Sequence, residues 1–197
     1  MRAFSSLLGF ALVALPTAAF AHAGHGDAGG LAHGFMHPIG GLDHILAMIA
    51  VGVFAFMLGG RALWLVPLSF VGMMVVGFGL GLGGVDLPFV ELGIALSAIV
   101  IGAAAALGRP MPVAGAMSLV GVFALFHGHA HGAEMPADAA GLTYALGFVA
   151  ATVALHAAGI AGAFGVARLT GRHGRALARI AGGVFALGGA GVLAGWL

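Results

Sequence analysis

Six apolar segments dominate the pattern of the chain, and short polar or glycine-rich stretches separate them. Each segment has about the 20 residues that a helix needs to cross the hydrocarbon of a bilayer. Continuous apolar runs of this length indicate helices rather than the strands of a membrane barrel. The pattern therefore predicts an all-α polytopic membrane protein with six transmembrane helices, which span approximately 38–58, 62–83, 88–107, 112–131, 141–166 and 177–197.

Composition agrees with this prediction. The 197 residues are 61% hydrophobic and 7% charged, with a mean hydropathy of +1.15, unlike any soluble domain of this size. The chain has no cysteine, so a metal site must use His, Asp, Glu, Met, backbone or water. Ten histidines are a marked bias in so apolar a chain. Its 37 glycines suit closely packed membrane helices, and two predicted packing faces are Gly77/Gly81 and Gly79/Gly83.

Residues 1–21 have the features of a secretory signal peptide. Arg2 gives a positive start, Leu7 to Leu15 give a short apolar core, and Ala19-Phe20-Ala21 give an A-x-A cleavage site. An uncleaved first helix is the alternative, and the shortness of the apolar run disfavours it. We therefore expect a cleaved signal peptide that precedes six membrane helices.

Cleavage would leave residues 22–36 as a flexible, His- and Gly-rich periplasmic tail in front of a six-helix transport domain over 37–197. The new first residue, His22, would either chelate metal through its amine and ring or simply be solvated. With this tail outside, every arginine of the mature chain falls in a loop on the inner side, as the positive-inside rule requires. The sequence thus predicts a bacterial inner-membrane protein whose mature N- and C-termini both face the periplasm. The arginines are Arg61, Arg109, Arg168, Arg172, Arg175 and Arg179.

A first group of metal-ligating residue types lies at the start of the first predicted helix. His37 is expected to cap this helix, because Pro38 suits the first helical position. His44 is seven residues later on nearly the same face, with Asp43 beside it. Two imidazoles and a carboxylate suit nickel, cobalt, copper or zinc. The alternative is a capping histidine plus an ordinary His–Asp hydrogen bond.

A second group lies at the end of the fourth predicted helix, on the same side of the membrane. His127 and His131 share a helix face that Glu134 would continue, whereas His129 points elsewhere and is a weaker candidate. We expect the first and fourth helices to pack together, with the imidazoles and carboxylates of both groups within about 10 Å of each other. Two distant groups at one membrane depth favour a shared metal site.

Two further ionisable residues lie within predicted helices. Glu91 begins the third helix and is either a ligand or proton carrier, or an interfacial carboxylate that the helix dipole stabilises. His156 lies midway along the fifth helix and is either a relay on the ion path or a histidine hydrogen-bonded inside the bundle. Ionisable residues at membrane depth indicate functional sites.

Two motifs of the chain resemble those of the HupE/UreJ family of nickel permeases. His37-Pro-Ile-Gly-Gly-Leu-Asp43-His44 is similar to the family motif H-x5-D-H, and Phe126-His-Gly-His-Ala-His-Gly-Ala-Glu134 to F-H-G-x-A-H-G-x-E. The resemblance implies a secondary nickel importer that serves hydrogenase or urease maturation. It implies metal handling by His37, Asp43, His44, His127, His131 and Glu134. It also suggests Phe70 and Glu91 as further family positions.

The predicted function is therefore transport of Ni²⁺ as substrate, without a prosthetic group and without enzymatic activity. The alternatives are an intramembrane zinc hydrolase that uses the same residues, a permease for Co²⁺, Cu²⁺ or Zn²⁺, or a metal sensor or storage protein. The chain lacks a Walker A motif, so ATP is not expected to drive it directly. The expected partners are the metal ion and the lipid bilayer, with no nucleotide or nucleic acid; the oligomeric state stays open.

Overall fold

The computed structural model describes residues 27–135 and 140–197, and all regular structure within them is helical. The predicted signal peptide and His22 lie outside the described residues. A 3₁₀ turn at Gly171–His173 joins the last two helices. The α-helices of the described residues are α1 (Asp27–Gly40), α2 (Leu42–Leu58), α3 (Ala62–Leu82), α4 (Val90–Leu107), α5 (Val113–Ala133), α6 (Gly141–Thr170) and α7 (Gly174–Leu193).

The first helix corrects two predictions. Residues 27–36, predicted as part of a flexible tail, belong to α1. His37 does not cap a helix, because α1 ends at Gly40 and α2 begins at Leu42 after Gly41. The glycines that suggested flexibility instead allow close packing, since Gly34 lies directly against the backbone of Tyr144 in α6. Small residues thus create a packing face where the pattern suggested a tail.

Membrane spans can be counted from helix length and composition. Four stretches are long and apolar enough to cross a bilayer, and the pair α1 and α2, bent by 84°, would be a fifth. The last stretch, Gly141–Leu193, contains both α6 and α7. The total of six spans therefore stays a prediction.

The helices from α2 to α7 alternate in direction. The start of α7 lies beside the end of α2, where the Arg175 side chain donates a hydrogen bond to the Met57 carbonyl at 3.1 Å. Further along, Gly188 of α7 packs against Leu46 near the start of α2, so these two helices are antiparallel. The chain reverses between α6 and α7 at Gly171, where φ is +57°. As a result, α2 is flanked by both α6 and α7.

Glycines bring α3 and α5 into backbone contact. A Cβ at Gly77 or Gly81 would overlap the Leu125 or His129 carbonyl of α5, which confirms the predicted Gly77/Gly81 packing face. The Gly79/Gly83 prediction was wrong, because a Cβ at Gly79 meets nothing within 4 Å in the described structure. Gly77 and Gly81 therefore lie on the face of α3 that packs on α5, and Gly79 lies on a face that does not.

The two ends of the bundle differ in chemistry. Arg175 and Arg179 donate hydrogen bonds to carbonyls at the ends of α2 and α4, where cations are favoured by the helix dipole. Asp43 and His44 lie at the opposite end of α2. These arginines and the histidine motifs thus lie at opposite ends of the bundle.

This separation leads to a labelling prediction. In intact cells, a cysteine introduced by Asp86→Cys is expected to react with an impermeant thiol reagent, because the loop before α4 lies at the histidine end. Arg172→Cys, at the arginine end, is expected to react only after the membrane is permeabilised. The cysteine-free chain provides a clean background. The reverse pattern would contradict the orientation predicted from the arginines.

Candidate metal site

Helix ends bring the two histidine motifs together. His37 lies in the last turn of α1, and His44 in the first turn of α2. His127 and His131 lie in the last two turns of α5. Because α1 and α2 meet at the sharp bend at Gly41, side chains from both helices point toward the end of α5.

The side chains of the two motifs are in direct contact. The ring centroid of His44 lies 4.7 Å from that of His127 and 5.2 Å from that of His131. His37 lies 4.9 Å from His131, and its Nε2 lies 3.3 Å from Glu134 Oε2. The predicted convergence within about 10 Å is therefore observed. The backbones of α2 and α5, the first and fourth predicted helices, pack together less than predicted, since α5 packs mainly on α3 and α2 mainly on α6.

A cavity of about 470 Å³ adjoins this cluster. Asp43 and His44 line it from α2, and Glu91 and Ile94 line it from the start of α4. The other lining residues are His33, Met36, His37, Gly40, Gly41, Ala130 and Glu134. Its volume exceeds that of several water molecules, so a partly hydrated ion fits.

Asp43 fixes the orientation of His44. Its Oδ1 accepts hydrogen bonds from the backbone N–H of His44 at 2.7 Å and from the ring Nδ1 at 2.9 Å. An ionised carboxylate only accepts, so the ring proton lies on Nδ1. The buried Nε2 of His44 then carries a lone pair, and it has no partner among the described residues. A carboxylate behind an imidazole is the usual support of a metal-ligating histidine.

Ser97 fixes the tautomer of His127 in a similar way. Its hydroxyl donates to the Ile94 carbonyl at 2.5 Å, so its oxygen is left to accept from His127 Nε2 at 2.9 Å. The ring proton of His127 therefore lies on Nε2, and the buried Nδ1 carries a free lone pair. Sequence reasoning missed Ser97; a lone serine in the apolar α4 was the signal available.

His131 supplies further unpaired nitrogen. It is fully buried, stacks on Phe148 with centroids 4.8 Å apart, and neither ring nitrogen has a hydrogen-bond partner in the described structure. In the described ranges, however, no three His, Asp or Glu side chains are grouped as a preformed ligand set. The rings instead meet edge to face, so ligation requires their rotation.

Other predicted residues take different places. Glu91 and Glu134 line the cavity, so both carboxylates are accessible from it. His129 points away and its Nε2 lies 2.7 Å from the Val85 carbonyl, as expected for a weaker candidate. Phe70 and His156 lie deeper, with ring centroids 5.0 Å apart.

Tyr144 is a second residue that the sequence did not reveal. It is fully buried, its ring centroid lies 6.2 Å from that of His37, and its hydroxyl has no partner in the described structure. The tyrosine begins α6, within an apolar segment with no motif around it. A buried hydroxyl beside the histidines is available to a ligand or a water.

Ser97 can be tested directly. Ser97→Ala is expected to raise the KM for metal uptake about tenfold, because loss of a supporting partner typically weakens metal binding by about 10–100-fold. The maximal rate should change little. Ser97→Thr keeps the hydroxyl and should restore the KM. Uptake kinetics measure both effects, and an unchanged KM in Ser97→Ala would show that His127 needs no such support.

Comparison with known proteins agrees with the motifs. The sequence matches the family described as HupE / UreJ protein over residues 10–192. It is 48% identical over 187 residues to Protein HupE of Rhizobium leguminosarum bv. viciae, covering 94% of this chain and 95% of that protein. No solved structure matches the chain significantly. The chain therefore belongs to the HupE/UreJ family.

Proposed function

We propose that the protein is a secondary transporter that imports Ni²⁺ across the bacterial inner membrane for hydrogenase or urease maturation. The observation that carries this proposal is the pair of bare imidazole nitrogens, His44 Nε2 and His127 Nδ1. The two rings are in contact, and the ring of His44 lines the cavity. Family membership supports nickel or cobalt transport in general. The cavity would capture the hydrated ion, and the imidazoles would replace part of its water shell.

The absence of a preformed ligand set within the described residues suits a carrier. A transported ion must bind well enough to enter and weakly enough to leave. A zinc hydrolase would instead retain its metal in a fixed set of three protein ligands with one open position. No observation favours hydrolysis, so transport is the better supported function.

The choice of nickel rests on the family rather than on ligand chemistry. Imidazole and carboxylate suit Co²⁺, Cu²⁺ and Zn²⁺ as well, and affinity alone favours Cu²⁺. The placement of the arginines supports an inner-membrane orientation with the cavity on the periplasmic side. Import would then begin at the cavity.

Proteoliposomes provide the test. Purified protein is reconstituted into vesicles that contain a metal-sensitive dye, and Ni²⁺ is added outside, alone or with Co²⁺, Cu²⁺ or Zn²⁺ in competition. We expect Ni²⁺ influx above that of protein-free vesicles. Influx no greater than in protein-free vesicles would refute transport, and stronger influx of another ion would refute the choice of nickel.

A further inference from the structure

We propose that His156 forms a second, inner station for the transported ion, in the middle of the bundle and beyond the cavity site. The inference rests on the proposed transport function. His156 lies half-way along the 30-residue α6, about 22 Å from the start of the helix at 1.5 Å per residue. The cavity histidines lie near the end of the bundle at which α6 begins, since the ring centroid of Tyr144 lies 6.2 Å from that of His37. His156 is thus well inside that boundary.

The burial of His156 has no evident structural compensation. The residue is 2% exposed, and neither ring nitrogen has a hydrogen-bond partner in the described part of the chain. An unpaired polar group in an apolar interior costs free energy, about 1–3 kcal/mol per group in mutational series. The sequence alternative, a histidine hydrogen-bonded within the bundle, is therefore not what the described structure contains. Transient binding of a ligand to the ring would account for this unpaired, buried imidazole.

A line of touching rings connects His156 with the cavity. His44 contacts His127, whose ring centroid lies 5.5 Å from that of Phe70. Phe70 in turn lies 5.0 Å from His156, edge to face at 90°. The phenyl ring is fully buried between the two imidazoles. An ion that leaves His127 inward therefore meets Phe70 first, and movement of this ring would expose it to His156.

The surroundings of His156 suit weak binding of a borderline divalent ion. Thr152 lies one helical turn before His156 in α6, and its hydroxyl donates a hydrogen bond to Met74 Sδ of α3 at 3.6 Å. Both side chains are buried. The groove that His156 lines is otherwise apolar, with Trp64, Leu68 and Val153 among its lining residues. A neutral imidazole without a carboxylate partner can coordinate nickel or cobalt but not hold it tightly. An inner station of this kind would let the ion leave toward the arginine end.

The first experiment separates binding from passage. His156→Gln removes the imidazole but keeps a polar side chain of similar length. We expect its equilibrium affinity for Ni²⁺ in detergent to stay within threefold of wild type, while Ni²⁺ influx into proteoliposomes falls at least tenfold. His173→Gln makes the same chemical change in an exposed turn and should leave both unchanged.

Two outcomes would overturn the inner station. Influx through His156→Gln within twofold of wild type would show that His156 is not on the path. Loss of equilibrium binding as complete as that of Asp43→Ala would place His156 within the outer site instead. If wild-type protein itself gives no influx, the proposed function fails, and the inner station fails with it.

A second measurement does not depend on transport or on the folding of His156→Gln. The variant His156→Cys places one thiol in a cysteine-free chain. If ions reach this position, Co²⁺ should produce a thiolate-to-cobalt charge-transfer band in the near ultraviolet, since thiolate binds such ions well. Ala154→Cys, on an exposed face of α6, is the matched control and should give no band. Absence of the band in His156→Cys would overturn the proposal.

Discussion

Asp43→Ala is expected to reduce metal uptake to the level of protein-free vesicles without preventing membrane insertion. The carboxylate accepts hydrogen bonds from both the backbone N–H and the ring Nδ1–H of His44. Its loss therefore removes the contacts that fix both the orientation and the tautomer of the ring. Removal of such a partner weakens metal binding by about 10–100-fold, and Asp43 also supplies negative charge to the cavity. Uptake assays and quantification of the protein in membranes provide the measurement.

Asp43→Asn separates charge from geometry. The amide oxygen can still accept from His44, so uptake should fall less than in Asp43→Ala. Asp86→Ala, which removes an exposed carboxylate from the loop before α4, should have little effect. His173→Ala should also be mild. If His173→Ala impaired uptake as strongly as Asp43→Ala, a site at the histidine end of the bundle would be wrong.

Gly128→Ala is expected to disrupt the site by disturbing the packing of α5 on α3. The glycine lies between His127 and His129, and a Cβ there would overlap the Met74 carbonyl of α3. Forcing extra volume into a packed core costs about 1–3 kcal/mol, and a clash with backbone cannot be relieved by side-chain rotation. We expect a lower unfolding temperature in detergent and severely reduced uptake, because separation of α5 from α3 displaces His127 and His131.

The matched control is Gly79→Ala in α3. A Cβ there meets nothing within 4 Å, and alanine has a higher helix propensity than glycine. Its unfolding temperature should equal or slightly exceed that of wild type. Equal stability of Gly128→Ala and Gly79→Ala would contradict the close approach of α3 and α5.

The sequence predicted the helices well because long apolar runs leave few alternatives in a membrane. It also predicted the meeting of His44 with His127 and His131, since charge patterning placed both motifs at one end of the bundle. Membrane topology restricts where a residue can lie along the bilayer normal. This restriction replaced much of the missing tertiary information.

Prediction failed where function depends on contacts between distant residues. The glycines of α1 suggested flexibility, and only the fold shows that Gly34 packs against Tyr144. Ser97 acts on His127 from 30 residues away, through a hydrogen bond that no local pattern encodes. Helix periodicity likewise could not decide which of Gly79 and Gly81 faces α5, since both occur in a uniformly apolar helix.

The 84° bend at Gly41 places the cavity side chains on two helical arms that meet at one vertex. His33 and His37 lie on the α1 arm, and Asp43 and His44 on the α2 arm. At 1.5 Å per residue, His33 is about 12 Å from the vertex, so a change of 10° in the angle would move it by about 2 Å. Metal–ligand distances tolerate only about 0.2 Å. A change of a few degrees in this angle would therefore decide whether donor atoms on the two arms lie within coordination distance of one ion.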